Sequence, residues 1–103
     1  MSVREELERR LSALPELEQR PSRFGDSTSY FVGGREIAHF HGDIRMDVRL
    51  TKEEIRRLKS EQALDHRVKT RGPSAEWAEV HVAKLTDIPY ALLLVEEAIR
   101  ANS

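Results

Sequence analysis

Seven consecutive residues, Ile44 to Leu50, alternate without a break. Ile44, Met46, Val48 and Leu50 are apolar, and Arg45, Asp47 and Arg49 between them are charged. Side chains along a β-strand point to its two faces in turn, so this pattern demands a strand with one buried and one wet face. A strand of that kind needs antiparallel neighbours and a layer of helices over its apolar side. The neighbours are legible. Arg35 to His41 reads as a strand, and Ser27 to Val32 as another. Gly33-Gly34 joins them in a hairpin, because both glycines accept positive φ. Gly42-Asp43 reads as a second tight connection, leading into Ile44.

Helices flank this block. Ser2 and Glu5 have the spacing of a capping box, and Val3, Leu7, Leu11 and Leu14 recur at helical intervals, so residues 2–14 read as a helix. Pro15 ends it. Residues 15–26 read as a loop closed by Gly25-Asp26, with a short helical turn around Glu16 to Gln19. Thr51 and Glu54 repeat the capping spacing and open a second helix, carried by Ile55 and Leu58 and ending near Ser60 to Ala63. Residues 67–71 and 76–82 read as strands around a Gly72-Pro73-Ser74 turn. Asp87 is placed to cap a last helix with Pro89 in its first turn, where a missing N–H costs little. Its apolar stripe is Ile88, Leu92, Val95 and Ile99, widened by Ala91 and Ala98. The order α-β-β-β-α-β-β-α predicts an α+β fold, a mostly antiparallel five-stranded sheet with helices packed on one face and the other face wet. The 103 residues are expected to form a single domain.

Charge and composition narrow the function. There are 17 basic and 18 acidic residues, a formal net charge of −1, so no global field attracts nucleic acid or an anionic membrane. The absence of cysteine excludes disulfides, thiolate metal sites and cysteine nucleophiles. Met1 to Glu6 has no apolar signal core and no run is long enough to span a membrane, so a cytoplasmic location is expected. No Gly-x-Ser-x-Gly elbow and no phosphate-binding glycine loop is present. Without a nucleophile paired to a base, the reading leans away from an enzyme, and no cofactor is expected.

The chemistry that the chain does carry gathers on the wet face. With Ala38 and Phe40 turned to the core, Ile37, His39 and His41 point away from it. The same face collects Arg45, Asp47, Arg49, Trp77, Glu79 and His81, with His66 at its rim. His39 and His41, two residues apart on a strand, can offer two imidazoles to one metal ion; alternatively they form a solvated face stabilised by cross-strand charge pairs. A carboxylate at Asp47 or Glu79 could orient a histidine for acid–base work. Arg67, Lys69 and Arg71 alternate along one strand, and Arg45 and Arg49 along another. Beside Trp77 they would suit a nucleic-acid surface, or simply shield an exposed sheet edge. The candidate binding residues are therefore His39, His41, Asp47, His66, Trp77 and His81, with His39 and His41 as candidate metal ligands.

The block Gly34-Arg35-Glu36-Ile37-Ala38-His39-Phe40-His41-Gly42-Asp43 resembles the Gly-x-x-Glu-(apolar)-x-His-x-His-Gly-(Asp) pattern of the small luciferase domain family. The resemblance extends over residues 24–102, with Glu36, His39, His41, Gly42, Asp43, His66 and Trp77 at matching positions. Where the family pattern has a glycine before the tryptophan, this chain has Glu76. The chain is too short for the flavin-dependent luciferase barrel, and no flavin or nucleotide motif is present. The element order is also similar to that of MmcQ/YjbR-like domains, described as DNA-binding proteins, although the balanced charge argues against nucleic acid here. Together these imply a small binding or accessory module whose partner is a small molecule or a protein, acting as a monomer or weak dimer. Its rivals are an enzyme using His39 or His41 and a nucleic-acid-binding domain.

Overall fold

The computed structural model describes residues 2–21 and 28–103. Helix α1 spans Val3–Leu11, and the capping box at its start is made in full. The Glu5 N–H donates to Ser2 Oγ at 3.0 Å, and the Ser2 N–H donates to Glu5 Oε1 at 3.0 Å. Leu7 and Leu11 of its apolar stripe are fully buried. The chain then runs through strands β1 (Glu18–Pro21), β2 (Thr28–Val32), β3 (Arg35–His41) and β4 (Arg45–Arg49). Helix α2 (Lys52–Ser60) follows, then β5 (Val68–Thr70), β6 (Trp77–His81), a 3-10 turn (Leu85–Asp87) and helix α3 (Ile88–Ala101). The six strands form one antiparallel sheet in the order β1-β2-β3-β4-β6-β5. No helix among the described residues is long and apolar enough to cross a membrane.

The sixth strand, β1, replaces the helical turn expected at Glu16 to Gln19. It carries no apolar alternation, because all four residues are exposed and it holds its place by pairing with β2 alone. A strand made by backbone pairing leaves no periodicity to read. The loop closure expected at Gly25-Asp26 and the strand start at Ser27 lie outside the described residues.

Helices α1 and α3 pack together, and α3 lies over β3 and β4 on one side of the sheet. Tyr30, Ile37, Ala38, Phe40, Met46, Val48, Ala78 and Val80 supply the sheet's share of one contiguous core. Burial at about 25 cal/mol per Å² of apolar surface is what holds these layers together. The core face of α3 is turned slightly from the expected stripe. Ile88, Ala91, Leu94, Val95 and Ala98 are buried, whereas Leu92 and Ile99 are only partly so.

Two expectations about facing fail for local reasons. Ile37 does not point to the wet face; it is fully buried. The register between β2 and β3 passes from Tyr30↔Ala38 to Phe31↔Glu36, leaving Ile37 as the extra residue of a β-bulge. The bulge puts Ile37 and Ala38 on the same, inner side. Ile44 was expected in the core and is instead 53% exposed, because it belongs to the β3–β4 turn. Asp87 also departs from its expected role. It makes no side-chain cap on α3; its Oδ2 accepts the Ala83 and Lys84 N–H groups at 3.2 and 3.1 Å, closing the 3-10 turn before the helix.

Candidate functional site

The strand registers place one residue from each strand in a line across the open face. That line runs Arg20, Ser29, His39, Asp47, Glu79, Lys69, in sheet order. His39 and Asp47 are directly opposed at its centre, where neighbouring strands stand about 4.8 Å apart. His41 lies two residues along β3. Both imidazoles turn to the same carboxylate oxygen: Nε2 of His39 is 3.2 Å and Nε2 of His41 is 3.0 Å from Asp47 Oδ2. The two rings meet edge to face with centroids 5.1 Å apart. Trp77 leans on His39 from β6, also at 5.1 Å.

The pairing shifts both partners. The hydrogen bond that His39 donates to Asp47 raises the His39 pKa above its ordinary value, against the opposing effect of burial, and the charges of Asp47 and Glu36 add to the rise. For Asp47, burial pushes the carboxyl up, but the His39 hydrogen bond and the charges of His41, His39 and Arg45 outweigh it and hold the pKa down. Among the described residues, His39 Nδ1 and Asp47 Oδ1 are buried without a hydrogen-bond partner, as is Arg45 Nε, which stands 3.6 Å from that Asp47 oxygen. The nearest acid to His39 Nδ1 is Glu36, whose Oε1 is 3.7 Å away. In a regular strand residues 36 and 39 face opposite sides; the bulge at Ile37 brings them to one.

Beside His39 and Asp47 lies a cleft of about 370 Å³. Trp77 forms its wall, Lys69 and Glu79 its far side, and the β5–β6 connection, with Arg71, Ala75 and Glu76, its rim. Glu76, the residue before Trp77, has a structural task. Its Oε2 accepts the Lys52 N–H at 2.8 Å and its carbonyl accepts the Thr51 N–H at 3.0 Å, tying this rim to the start of α2.

Of the expected binding residues, His39, His41, Asp47 and Trp77 come together. His81 shares the open face but lies beyond Arg45, two strands from His41, and does not line the cleft. His66 is exposed in the turn before β5, away from the cluster. The basic residues are also dispersed. Arg67 turns to α3, pairing with Asp65 at 2.6 Å and Asp87 at 3.1 Å and stacking over Tyr90 at 4.1 Å. Arg45 and Arg71 both approach Glu79 at 3.8 Å, and Arg49 borders a separate surface hollow with Arg35 and Thr51. Lys69 and Arg71 remain at the cleft.

Glu36 is the neighbour of His39 that strand periodicity conceals, because only the bulge brings it there. Asp47 as partner to both histidines was open to discovery. A two-residue turn would pair His41 with Ile44, putting a polar and an apolar side chain on one face. The three-residue turn instead pairs His41 with Arg45, and so His39 with Asp47.

The family model of the luciferase domain matches residues 34–98. The chain belongs to the luciferase domain family. The luciferase-domain match begins at the β2–β3 hairpin and ends within α3, so it contains Glu36, both histidines, Asp47, Trp77 and the whole cleft. Strand β1, β2 and helix α1 lie outside it. No curated protein and no solved structure gives a significant match.

Proposed function

We propose that this luciferase-domain protein is a small-molecule binding module, and that its ligand lies in the cleft between Trp77 and His39. The supporting observation is the cleft itself. It is of ligand-binding size, apolar on the indole side and polar at its floor, the mixture that binding sites use for affinity and orientation. A flat molecule stacks on Trp77. Its polar edge then meets the His39–Asp47 pair, which can share or hold a proton. Lys69 on the far side and Arg71 at the rim favour an acidic substituent. A nucleic-acid surface has less support, since Arg67 is engaged with Asp65 and Asp87 on the helical side.

The test uses the chain's only tryptophan as reporter. Planar aromatic acids and their neutral amides are titrated while Trp77 fluorescence and backbone amide NMR shifts are followed. The expected result is saturable quenching, with shifts centred on His39, Trp77 and Lys69. Lys69→Ala with Arg71→Ala should weaken the acids more than the amides. No saturable response from any probe, or shifts centred elsewhere, overturns the reading.

A further inference from the structure

We infer that Nε2 of His39, Nε2 of His41 and Oδ2 of Asp47 form a three-ligand site for a divalent transition metal, open to solvent on its remaining positions. The inference goes beyond the small-molecule reading and does not rest on it. Among the described residues no other group of three or more His, Asp or Glu side chains converges, whereas these three bring their ligand atoms within 4.8 Å of one another.

Geometry carries the argument. Ligand atoms bonded to zinc at about 2.1 Å stand about 3.0–3.4 Å apart, according to whether the coordination is octahedral or tetrahedral. The two imidazole-to-carboxylate distances, 3.2 and 3.0 Å, already have that edge length. The third edge, between the two imidazole nitrogens, lies within 4.8 Å, so closing the triangle around an ion is a matter of side-chain rotation. Two imidazoles with one carboxylate are a donor set suited to zinc, and also to iron(II) when open positions remain. His41, with a side chain 49% exposed, leaves one side of the site accessible.

The unpartnered nitrogen of His39 gives a second, independent reason. A histidine that ligates through Nε2 carries its proton on Nδ1, and metal-bound histidines usually donate that N–H to a carboxylate. His39 Nδ1 is buried without a hydrogen-bond partner among the described residues, and Glu36 Oε1 lies 3.7 Å away. Metal ligation turns this loose approach into an N–H donor facing a carboxylate acceptor. Glu36 thus becomes a positioning residue for His39, brought to the correct face by the bulge. Glu79, directly opposite Asp47, adds further negative charge to offset Arg45.

The experiment is calorimetric titration of the tag-free chain with zinc chloride, alongside long-range ¹⁵N spectra of the histidine rings. We expect one ion per chain and shifts confined to His39 and His41, with Nε2 of each as the ligating nitrogen. Asp47→Asn and His41→Ala should each weaken binding more than 10-fold. Glu36→Ala should weaken it about 10–100-fold, the usual effect of losing such a partner. His66→Ala and His81→Ala should leave it unchanged. The exposed position of His41 makes its variant informative even if Asp47→Asn does not fold. Absence of stoichiometric binding, ring shifts at His66 or His81, or binding indifferent to His41→Ala overturns the inference.

Discussion

Tyr30→Phe should stabilise this protein. Tyr30 is fully buried on the core face of β2, and its hydroxyl has no hydrogen-bond partner among the described residues. Desolvation drives its phenol pKa far above the ordinary range, the signature of a polar group in apolar surroundings. Its ring meets Phe40 edge to face at 6.2 Å, a contact that phenylalanine retains. A buried hydroxyl left unpaired costs about 1–3 kcal/mol. The substitution removes that cost and leaves a gap no larger than one oxygen, so the net gain should be about 0.5–2 kcal/mol. In a domain of this size each kcal/mol raises the melting temperature by about 4–8 °C. Urea denaturation of both forms, fitted with a common slope, reads the difference directly. Ligand and metal binding should not change, because Tyr30 faces away from the open side of the sheet. A loss of about 1 kcal/mol or more would refute the reasoning, showing that the hydroxyl satisfies its hydrogen bond with a buried water.

Three further outcomes are expected. Met46→Ala should cost about 2–5 kcal/mol, and Ile44→Ala, two residues away on the same apolar pattern, about 0.5 kcal/mol or less; equal losses in urea denaturation would return Ile44 to the core. Thr51 caps α2 at φ +76°, a conformation costly for a β-branched residue. Thr51→Gly should therefore gain about 1 kcal/mol despite losing the cap, and a loss on thermal unfolding would show that the Thr51 Oγ1 contact to the Glu54 N–H dominates. Burial raises the Asp87 carboxyl, but the Lys84 N–H, the Arg67 guanidinium and the Ala83 N–H overcome it and hold its pKa below the ordinary value. Its stabilisation is complete above the unfolded pKa of about 3.9 and is lost as pH falls through the lower folded value. The urea midpoint should drop below about pH 4, and less steeply in Asp87→Asn; equal slopes in the two forms would remove Asp87 from the account.

What could be read from the chain, and what could not, follows from where the information resides. Strand β3 was found at its full length, and the polar sheet face with His39, His41, Asp47 and Trp77 was assembled, because alternation in the residues reflects burial directly. Strand β1 escaped because its residues bury nothing. Ile37 and Ile44 were assigned to the wrong faces for a different reason. Each sits at an irregularity, a bulge or a turn one residue longer than supposed, and periodicity holds only between such points. The same irregularities govern the site. The turn length decides that Asp47 stands opposite His39, and the bulge decides that Glu36 stands near its other nitrogen. His66 and His81 met the residue-type criterion, but the register and the turn before β5 keep them apart from the cluster.

The extra residue at Ile37 also makes β3 a strand of two halves that tolerate change differently. From Ala38 onward, every position is locked to the β4 register, and losing Phe40 would put the two histidines on opposite faces. Before Ile37, the strand answers only to β2 and the Gly33-Gly34 hairpin. Removing Ile37 itself would restore even pleating without turning any of these groups, because Glu36 would then stand two residues before His39 and keep its outward face. What the extra residue adds is a second apolar side chain on the core side of a single strand position, so the bulge enlarges the core while the outer face stays in step.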